Sequence, residues 1–199
     1  MAARHPHWAL GFADEVWWSR LAQPNLHTWA GAGRELRLLH KHVAKGDPEP
    51  KALACYGLLI RTAPAAAEQV WLRFAIGQPV SDLTTQFLAW CSERLERLGK
   101  QALLLVWDNA SWHQSQAVRQ WLRTHNRTVK QTHRGVRIVS CRLPIQSPWL
   151  NPTEPRWIHG KRAVLEPQRG LTTIELETRV YTYYGCQPEP HLSFTQKAA

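Results

Sequence analysis

Three carboxylates lie in segments that are expected to hold their side chains in fixed positions. Asp14 lies inside the apolar run WALGFADEVWW, Asp108 ends the run ALLLVWD, and Glu154 lies in the proline-rich stretch QSPWLNPTEPRW. Carboxylate oxygens are the ligands that Mg²⁺ prefers, and two neighbouring ions can activate an attacking oxygen and stabilise a leaving one. If the three acids converge, they predict metal-dependent phosphoryl transfer.

The stretch around Glu154 predicts a rigid turn into a helix. Pro148 and Pro152 fix their own φ angles and bias the residues before them away from helical geometry. Asn151 has the residue type of an N-cap, with Pro152 at the first helical position, so Glu154 falls in the first helical turn. The spacing Asn151-x-x-Glu154 is also that of a capping box, and on local spacing alone a capping role for Glu154 outweighs metal binding.

The two aspartates have alternative roles as well. Side chains alternate across a strand, so Asp14 shares a face with Leu10 and Phe12, whereas Glu15 points to the other face. A charge on an otherwise apolar face needs a partner, which either an arginine or a metal ion would supply. Asp108 lies between a strand and a helix, where ligands collect in open α/β sheets but where Asp also serves as a turn or cap residue.

The hydrophobic pattern predicts the elements that must position these acids. Strands are predicted at residues 8–18, 53–60, 70–76, 102–108 and 136–144, with a further short strand near 36–39. Helices are predicted at residues 80–98, 111–125, 152–165 and 172–184. This order predicts an α/β fold with a mixed sheet, antiparallel in its first three strands and parallel afterwards, flanked by helices.

The composition favours a polyanionic partner and an intracellular setting. The 199 residues carry 25 Lys and Arg against 15 Asp and Glu, a net charge of +10. This charge favours nucleic acid as a partner, although a basic surface without a specific ligand has the same composition. The four cysteines form no CxxC pair, which argues against a zinc knuckle and fits a reducing compartment. The sequence shows neither a signal peptide nor an apolar run long enough to span a membrane.

The three carboxylate segments together resemble a known family. ADEVWW, VWDNASWH and LPIQSPWLNPTEPRW, in that order and on those elements, are similar to the catalytic domain of DDE transposases of the mariner-like bacterial insertion-sequence group. The last motif is specific to that group, and the resemblance extends from about Gly11 to the last predicted helix. It implies an RNase H-like fold and a triad of Asp14, Asp108 and Glu154 that binds two Mg²⁺ ions, with Mn²⁺ as a substitute.

The resemblance also implies an activity and partners. The activity is metal-dependent cleavage and transfer of DNA strands, with water and then a DNA 3′-hydroxyl as nucleophiles. The partners are transposon ends and target DNA, in the bacterial cytoplasm at the nucleoid. Pairing of two copies of the chain and end recognition by a separate N-terminal polypeptide are left open. The alternatives are an RNase H-like endonuclease that cuts without joining ends and a non-catalytic DNA-binding remnant of a transposase.

Five further residues are candidates for supporting roles around the triad: Asn109, His113, Asn151, Lys161 and Arg162. The histidine is a candidate DNA or water contact, or else a surface or packing residue. The two asparagines either orient ligands through hydrogen bonds or act as ordinary caps. The basic pair lies about two helical turns beyond Glu154 and either contacts phosphate or forms a solvated helix end.

Two features depart from the family pattern. Asp108 and Glu154 are 46 positions apart, longer than in most members. The surplus is assigned to the basic stretch 123–135, which is expected to be a loop that either touches the DNA backbone or is solvated. The N-terminal helix-turn-helix modules usual in the family are expected to be absent. We therefore expect residues 1–186 to form a single catalytic domain, followed by a loosely ordered tail at 187–199.

Overall fold

The computed structural model describes residues 5–24, 40–42, 44–63, 66–145 and 147–194 of the chain. In this part of the chain five strands form one sheet, namely β1 (Trp8–Ser19), β2 (Ala52–Arg61), β3 (Gln69–Ala75), β4 (Ala102–Trp107) and β5 (Arg137–Arg142). The α-helices are α1 (Ser81–Arg97), α2 (Gln116–Thr132), α3 (Thr153–Ala163) and α4 (Thr173–Tyr184). None of these helices is both long and apolar enough to cross a membrane. The strand predicted near residues 36–39 lies outside the described residues.

The sheet confirms the predicted mixed topology. Its strand order is β3-β2-β1-β4-β5, with antiparallel pairing among β1, β2 and β3 and with β4 and β5 parallel to β1. In the β1–β4 ladder Phe12 lies opposite Val106, and Asp14 and Asp108 each follow two residues later. Because side chains alternate, a step of two keeps both aspartates on the same face. The register therefore places them side by side where the β1–β4 pairing ends.

Helices cover both faces of the sheet. On one face Phe87 and Leu95 of α1 and Val118 of α2 belong to a buried apolar cluster with side chains of β1, β2 and β4. On the other face Trp157 of α3 and Val180 of α4 belong to a second buried cluster with side chains of β1, β2 and β3. Burying a large apolar side chain contributes roughly 1.5–3 kcal/mol, so two such layers hold the sheet firmly under the functional residues.

The basic stretch 123–135 is mostly helical, and the prediction of a loop there is wrong. Most of it continues α2, which ends in a left-handed turn at His133, where φ is 55°. The helix continues because its apolar face does: Val129 is buried on the same face as Val118, three turns earlier. The greater spacing between the second and third acids therefore lengthens a helix.

The segment after α4 is attached to the sheet as far as the structure describes it. Leu192 is fully buried, its N–H donates to the Phe74 carbonyl at 2.8 Å, and its own carbonyl accepts from the Ile76 N–H at 2.8 Å. The expectation of a loose tail does not hold for residues 187–194, because one apolar side chain and two backbone hydrogen bonds fix this segment to the end of β3.

Candidate active site

Asp14, Asp108 and Glu154 line one cleft of about 270 Å³. They reach it from three elements, since Asp14 lies in β1, Asp108 follows β4 and Glu154 lies in the first turn of α3. The other lining residues are uncharged: Asn109, Leu143, Pro144, Ile145, Ser147 and Asn151. Among the described residues, the lining of the cleft therefore contains three carboxylates and no basic side chain.

The Asp14 carboxylate is fixed mainly by hydrogen bonds from α3. Its Oδ2 accepts from Trp157 Nε1 at 3.0 Å and from Thr153 Oγ1 at 3.1 Å. Its Oδ1 accepts from the Glu15 backbone N–H at 3.0 Å. Gly57, which lies opposite Asp14 in β2, permits this arrangement because a Cβ at that position would overlap the Trp157 ring. Neutral donors, and not an arginine, therefore hold the charge on this face.

The surroundings of Asp14 disfavour its ionised form. Burial raises the pKa of Asp14, and the negative charges of Glu15 and Glu154 raise it further, to about 7. The hydrogen bonds from Trp157 and Thr153 act in the opposite direction and offset only part of the rise. A nearby cation would restore the ionised form, because opposite charge favours the carboxylate.

A buried histidine joins Asp108 to a second carboxylate. His113 Nδ1 lies 2.8 Å from Asp108 Oδ1, and His113 Nε2 lies 2.9 Å from Glu15 Oε1. The imidazole stacks on Trp107 with ring centroids 4.5 Å apart, and Trp112 Nε1 donates to the other Glu15 oxygen at 3.3 Å. Only 1% of the His113 side chain is exposed, so it is placed to position Asp108 and not to contact DNA.

The two carboxylates keep His113 protonated. Burial lowers the pKa of His113, but the hydrogen bonds and charges of Asp108 and Glu15 outweigh burial and raise the pKa to about 9. In turn, the hydrogen bond from His113 lowers the pKa of Asp108. Near neutral pH both ring nitrogens therefore donate hydrogen bonds, and Asp108 is ionised where it meets the cleft.

Sequence reasoning missed Glu15 as a residue of this site. Alternation along β1 turns Asp14 toward the face covered by α3 and α4, and Glu15 toward the face covered by α1 and α2. The strand pattern predicts a functional role only for Asp14, the first of these acids. The available signal was that an acid inside an apolar strand needs a partner, and His113 precedes the helix that covers the Glu15 face.

The helix α3 begins at Thr153, one residue later than predicted, so Pro152 and not Asn151 occupies the N-cap position. Asn151 Oδ1 accepts from the Thr153 N–H at 3.2 Å. The Thr153 hydroxyl has a single hydrogen, which it donates either to Asn151 Oδ1 at 2.6 Å or to Asp14 Oδ2 at 3.1 Å. Among the described residues no hydrogen bond runs from the Glu154 side chain to the Asn151 N–H, which a capping box would require. Asn151 thus accepts from the first N–H of the helix from the position before the N-cap, and the Glu154 carboxylate is exposed in the cleft.

The other predicted site residues divide between this cleft and another surface. Asn109 lines the cleft, and its side-chain amide donates to the Leu143 carbonyl at 2.6 Å, which ties the loop after β4 to the loop after β5. Lys161 and Arg162 line a separate cleft beside Trp18 and are not brought to the carboxylates. Seven to eight residues carry the helix about 11 Å beyond Glu154, which explains the separation.

The donor set of the carboxylate cleft fits a divalent cation. Three carboxylates supply hard oxygen ligands, and the pKa of Asp14 is raised first by burial and then by the negative charges of Glu15 and Glu154. Within the described part of the chain, no three His, Cys, Asp or Glu side chains already stand close enough to share an ion. The side chain of Glu154 is exposed, however, so it can turn toward the carboxylates of Asp14 and Asp108, which hydrogen bonds hold in place.

Solved structures of the Mos1 transposase share this fold. The Mos1 paired-end complex with the left transposon end has a TM-score of 0.63 at 15% identity, over 89% of this chain and 48% of the Mos1 chain. The Mos1 strand transfer complex has a TM-score of 0.60 at 15% identity, over 91% of this chain and 48% of the Mos1 chain. The catalytic domain of Mos1 mariner transposase has a TM-score of 0.53 at 14% identity, over 92% of this chain and 72% of the Mos1 domain. The chain thus has the RNase H-like fold of that domain and spans about half the length of the Mos1 chains in the two complexes.

A family model gives the same assignment at the level of sequence. No curated protein matches the chain. The model described as DDE superfamily endonuclease matches residues 75–176, just over half of the chain, and the match includes Asp108 and Glu154. The carboxylates of the cleft, the mixed sheet beneath them and this match agree, and the chain belongs to the DDE superfamily endonuclease family.

Proposed function

We propose that this chain is a DNA transposase catalytic domain, which cleaves DNA strands and transfers them in a metal-dependent reaction. The observation that carries the proposal is that Asp14, Asp108 and Glu154, from three separate elements, line one cleft, and that no basic side chain is among the described residues of its lining. Membership of the family and the fold shared with the Mos1 complexes support the same class of reaction. In this proposal the three carboxylates are the metal ligands.

The proposed cofactor is Mg²⁺, with Mn²⁺ as a substitute and two ions in the site. Mos1 paired-end complexes with Mg and with Mn support this choice. Asp14, Asp108 and Glu154 would hold the ions, which would lower the pKa of an attacking water or 3′-hydroxyl and supply positive charge near phosphorus. The chain itself supplies positioning, because α3 holds Asp14 and His113 holds Asp108.

The proposed substrates are transposon ends and target DNA. The net charge of +10 favours a polyanion, although the cleft itself is acidic, so the cations that neutralise the cleft also allow a phosphate to enter it. The proposal extends to two copies of the chain that bridge two ends, to a separate N-terminal polypeptide that recognises the ends, and to action at the bacterial nucleoid.

A strand-transfer assay tests the proposal. The wild-type chain is incubated with a labelled duplex that ends in a free 3′-hydroxyl and with a supercoiled plasmid, in Mg²⁺, in Mn²⁺ and in a chelator. We expect label joined to plasmid in either metal and none in the chelator. Plasmid nicking without joining would favour the endonuclease alternative. Salt-sensitive DNA binding without nicking or joining would favour the non-catalytic remnant.

Replacing His113 tests the positioning of Asp108. We expect His113→Ala to lower the rate of metal-dependent cleavage about 10- to 100-fold and to raise the Mn²⁺ concentration needed for half-maximal rate, because partners of metal ligands typically have effects of that size. His113→Asn should recover part of the loss, since its amide retains a donor near the Nδ1 position that faces Asp108. The measurement is a Mn²⁺ titration of the cleavage rate.

Glu15 provides the matched comparison. Because Glu15 acts through His113, Glu15→Gln should shift the Mn²⁺ titration in the same direction, and the double variant should lose less than the two single losses combined. If His113→Ala lowered only the thermal stability and left the Mn²⁺ titration of the folded protein unchanged, His113 would be a packing residue alone.

A further inference from the structure

The exposed side of α2 carries a row of basic residues, here called the α2 stripe: Arg119, Arg123, Arg127 and Lys130. All four residues are exposed. At about 100° per residue they lie within an arc of roughly 80°, and at about 1.5 Å per residue the row is roughly 16 Å long. The stripe lies away from the buried Val118 and Val129, so it is a continuous basic surface on one side of a packed helix.

No acid offsets the α2 stripe locally. The 45 residues from Asn109 to Thr153 contain seven Lys and Arg and no Asp or Glu, which leaves 18 basic against 15 acidic residues in the rest of the chain. Some exposed arginines elsewhere pair with carboxylates, as Arg169 does with Glu175 at 2.6 Å. Among the described ion pairs none includes a member of the stripe. The stripe thus holds uncompensated positive charge.

The helix that carries the stripe is anchored along its length. The Asn126 side chain donates to the Ile138 carbonyl and accepts from the Ile138 N–H, both at 2.8 Å, which ties α2 to the edge strand β5. On the helix surface Asn126 lies next to the stripe, so the stripe follows this edge of the sheet. At the other end Ser115 caps α2, two residues after the His113 that contacts Asp108. The first residue of the stripe, Arg119, follows His113 by six positions, so the stripe begins near the end of α2 from which His113 reaches Asp108.

We propose that the α2 stripe is a docking surface for the backbone of duplex DNA outside the carboxylate cleft. Duplex DNA carries a negative charge about every 1.7 Å of its axis, so a rigid basic row of roughly 16 Å meets several phosphates at once. Duplex DNA as the occupant rests on the proposed function. The stripe supplies affinity independent of DNA sequence, and the cleft supplies the chemistry.

Salt-dependent binding tests the stripe separately from catalysis. Binding to a duplex of arbitrary sequence is measured in a chelator over a range of salt concentrations, so that no cleavage is required. A variant with Arg119, Arg123, Arg127 and Lys130 all changed to Gln is compared with one in which Lys45, Lys51, Arg97 and Lys100 are changed to Gln. Both variants lose four charges, and circular dichroism verifies that both are folded. A third variant with Lys at all four stripe positions keeps the charge.

The expected result is a change in the salt slope confined to the stripe. Each lost phosphate contact lowers the slope of log K against log salt by about 0.9, so the stripe variant should lose about 3 to 4 and the control variant less than half of that. The all-Lys variant should keep most of the slope, because each Lys still neutralises a phosphate as a point charge. Equal losses in the stripe and control variants, or no loss in either, would overturn the inference. A stripe-specific loss in a protein that neither cuts nor joins DNA would retain the docking surface and reject the proposed reaction.

Discussion

Asp108→Ala is expected to abolish metal-dependent cleavage while DNA binding in a chelator is retained. Asp108 lies beside Asp14 in the register of β1 and β4 and lines the same cleft as Glu154, so its loss removes one of three proposed ligands. Stabilisation by metal ions is worth several kcal/mol in a transition state, which corresponds to a loss of roughly a thousandfold or more in rate. Single-turnover cleavage in Mg²⁺ and in Mn²⁺ measures the loss.

The control for Asp108→Ala is a carboxylate outside the cleft. Glu93 on α1 is 68% exposed and lies 3.9 Å from Arg97, so Glu93→Ala should leave cleavage within about twofold, since exposed pairs of this kind contribute little. Binding should survive in both variants because it depends on basic residues and not on the cleft. Full cleavage by Asp108→Ala would contradict the assignment of the metal ligands.

The carboxylate cleft is acidic and the α2 stripe is basic, so the two surfaces are suited to different steps, phosphoryl transfer in the cleft and DNA binding on the stripe. Without a cation, the carboxylates of the cleft repel a phosphate. Burial raises the pKa of Asp14, and the neighbouring charges of Glu15 and Glu154 raise it further, so the same kind of repulsion already exists within the protein. The α2 stripe attracts the same polyanion with no metal present. In the proposed function, DNA docking and phosphoryl transfer therefore have separate electrostatic requirements, and variants of the stripe and of the triad should affect different measurements.

The sequence predicted the sheet and the convergence of the acids because both follow from periodicity. Alternating and continuous apolar runs fixed which segments are strands, and the mixed sheet follows from their order. Asp14 and Asp108 meet because each lies two residues beyond a paired position of neighbouring parallel strands. Pro148, Asn151 and Pro152 fixed the start of the helix that carries Glu154 to within one residue.

The parts that the sequence did not predict depend on contacts between distant segments. His113 is buried against Glu15, which lies 98 positions earlier in the chain. Glu15 reaches it from the face of β1 opposite to the one that carries Asp14. The hydrophilic second half of α2 has a single buried apolar residue, Val129, which is too weak a pattern to predict a helix. The hydrogen bonds from Asn126 to β5 also hold this half in place, and periodicity does not report such a contact. Leu192 is one apolar residue in a proline-containing segment, too short a pattern to indicate pairing with β3.

Asp14→Asn is expected to stabilise the metal-free protein at neutral pH while it abolishes cleavage. The pKa of Asp14 is about 7 in the folded protein against 3.8 in the unfolded chain, so the folded state binds this proton more tightly. The contribution of Asp14 to the free energy of unfolding is therefore fully present below about pH 4 and is lost as pH rises to about 7. Asn carries no charge at any pH and avoids that loss. Because a unit of pKa is about 1.4 kcal/mol and Asn gives up one accepted hydrogen bond, we expect a gain of about 1–3 kcal/mol at pH 7.5.

Thermal unfolding in a chelator at pH 4.5 and pH 7.5 measures this gain, and Glu93→Gln serves as the control that removes an exposed charge outside the cleft. The gain should appear as a rise in Tm of several degrees at pH 7.5 and should shrink at pH 4.5, where Asp14 is already protonated. Added Mn²⁺ should reverse the order of the two proteins, because a ligand that binds only the folded wild type stabilises it by mass action and the variant has lost a ligand. The opposite result would be that Asp14→Asn is less stable than wild type at pH 7.5 without metal. In that case the hydrogen bonds from Trp157 and Thr153 would stabilise the ionised carboxylate by more than burial and the neighbouring acids destabilise it. The proposed metal would then have no unfavourable ionisation of Asp14 to offset. The expected reversal would instead show that ionised Asp14 lowers the stability of the metal-free protein and raises that of the metal-bound protein.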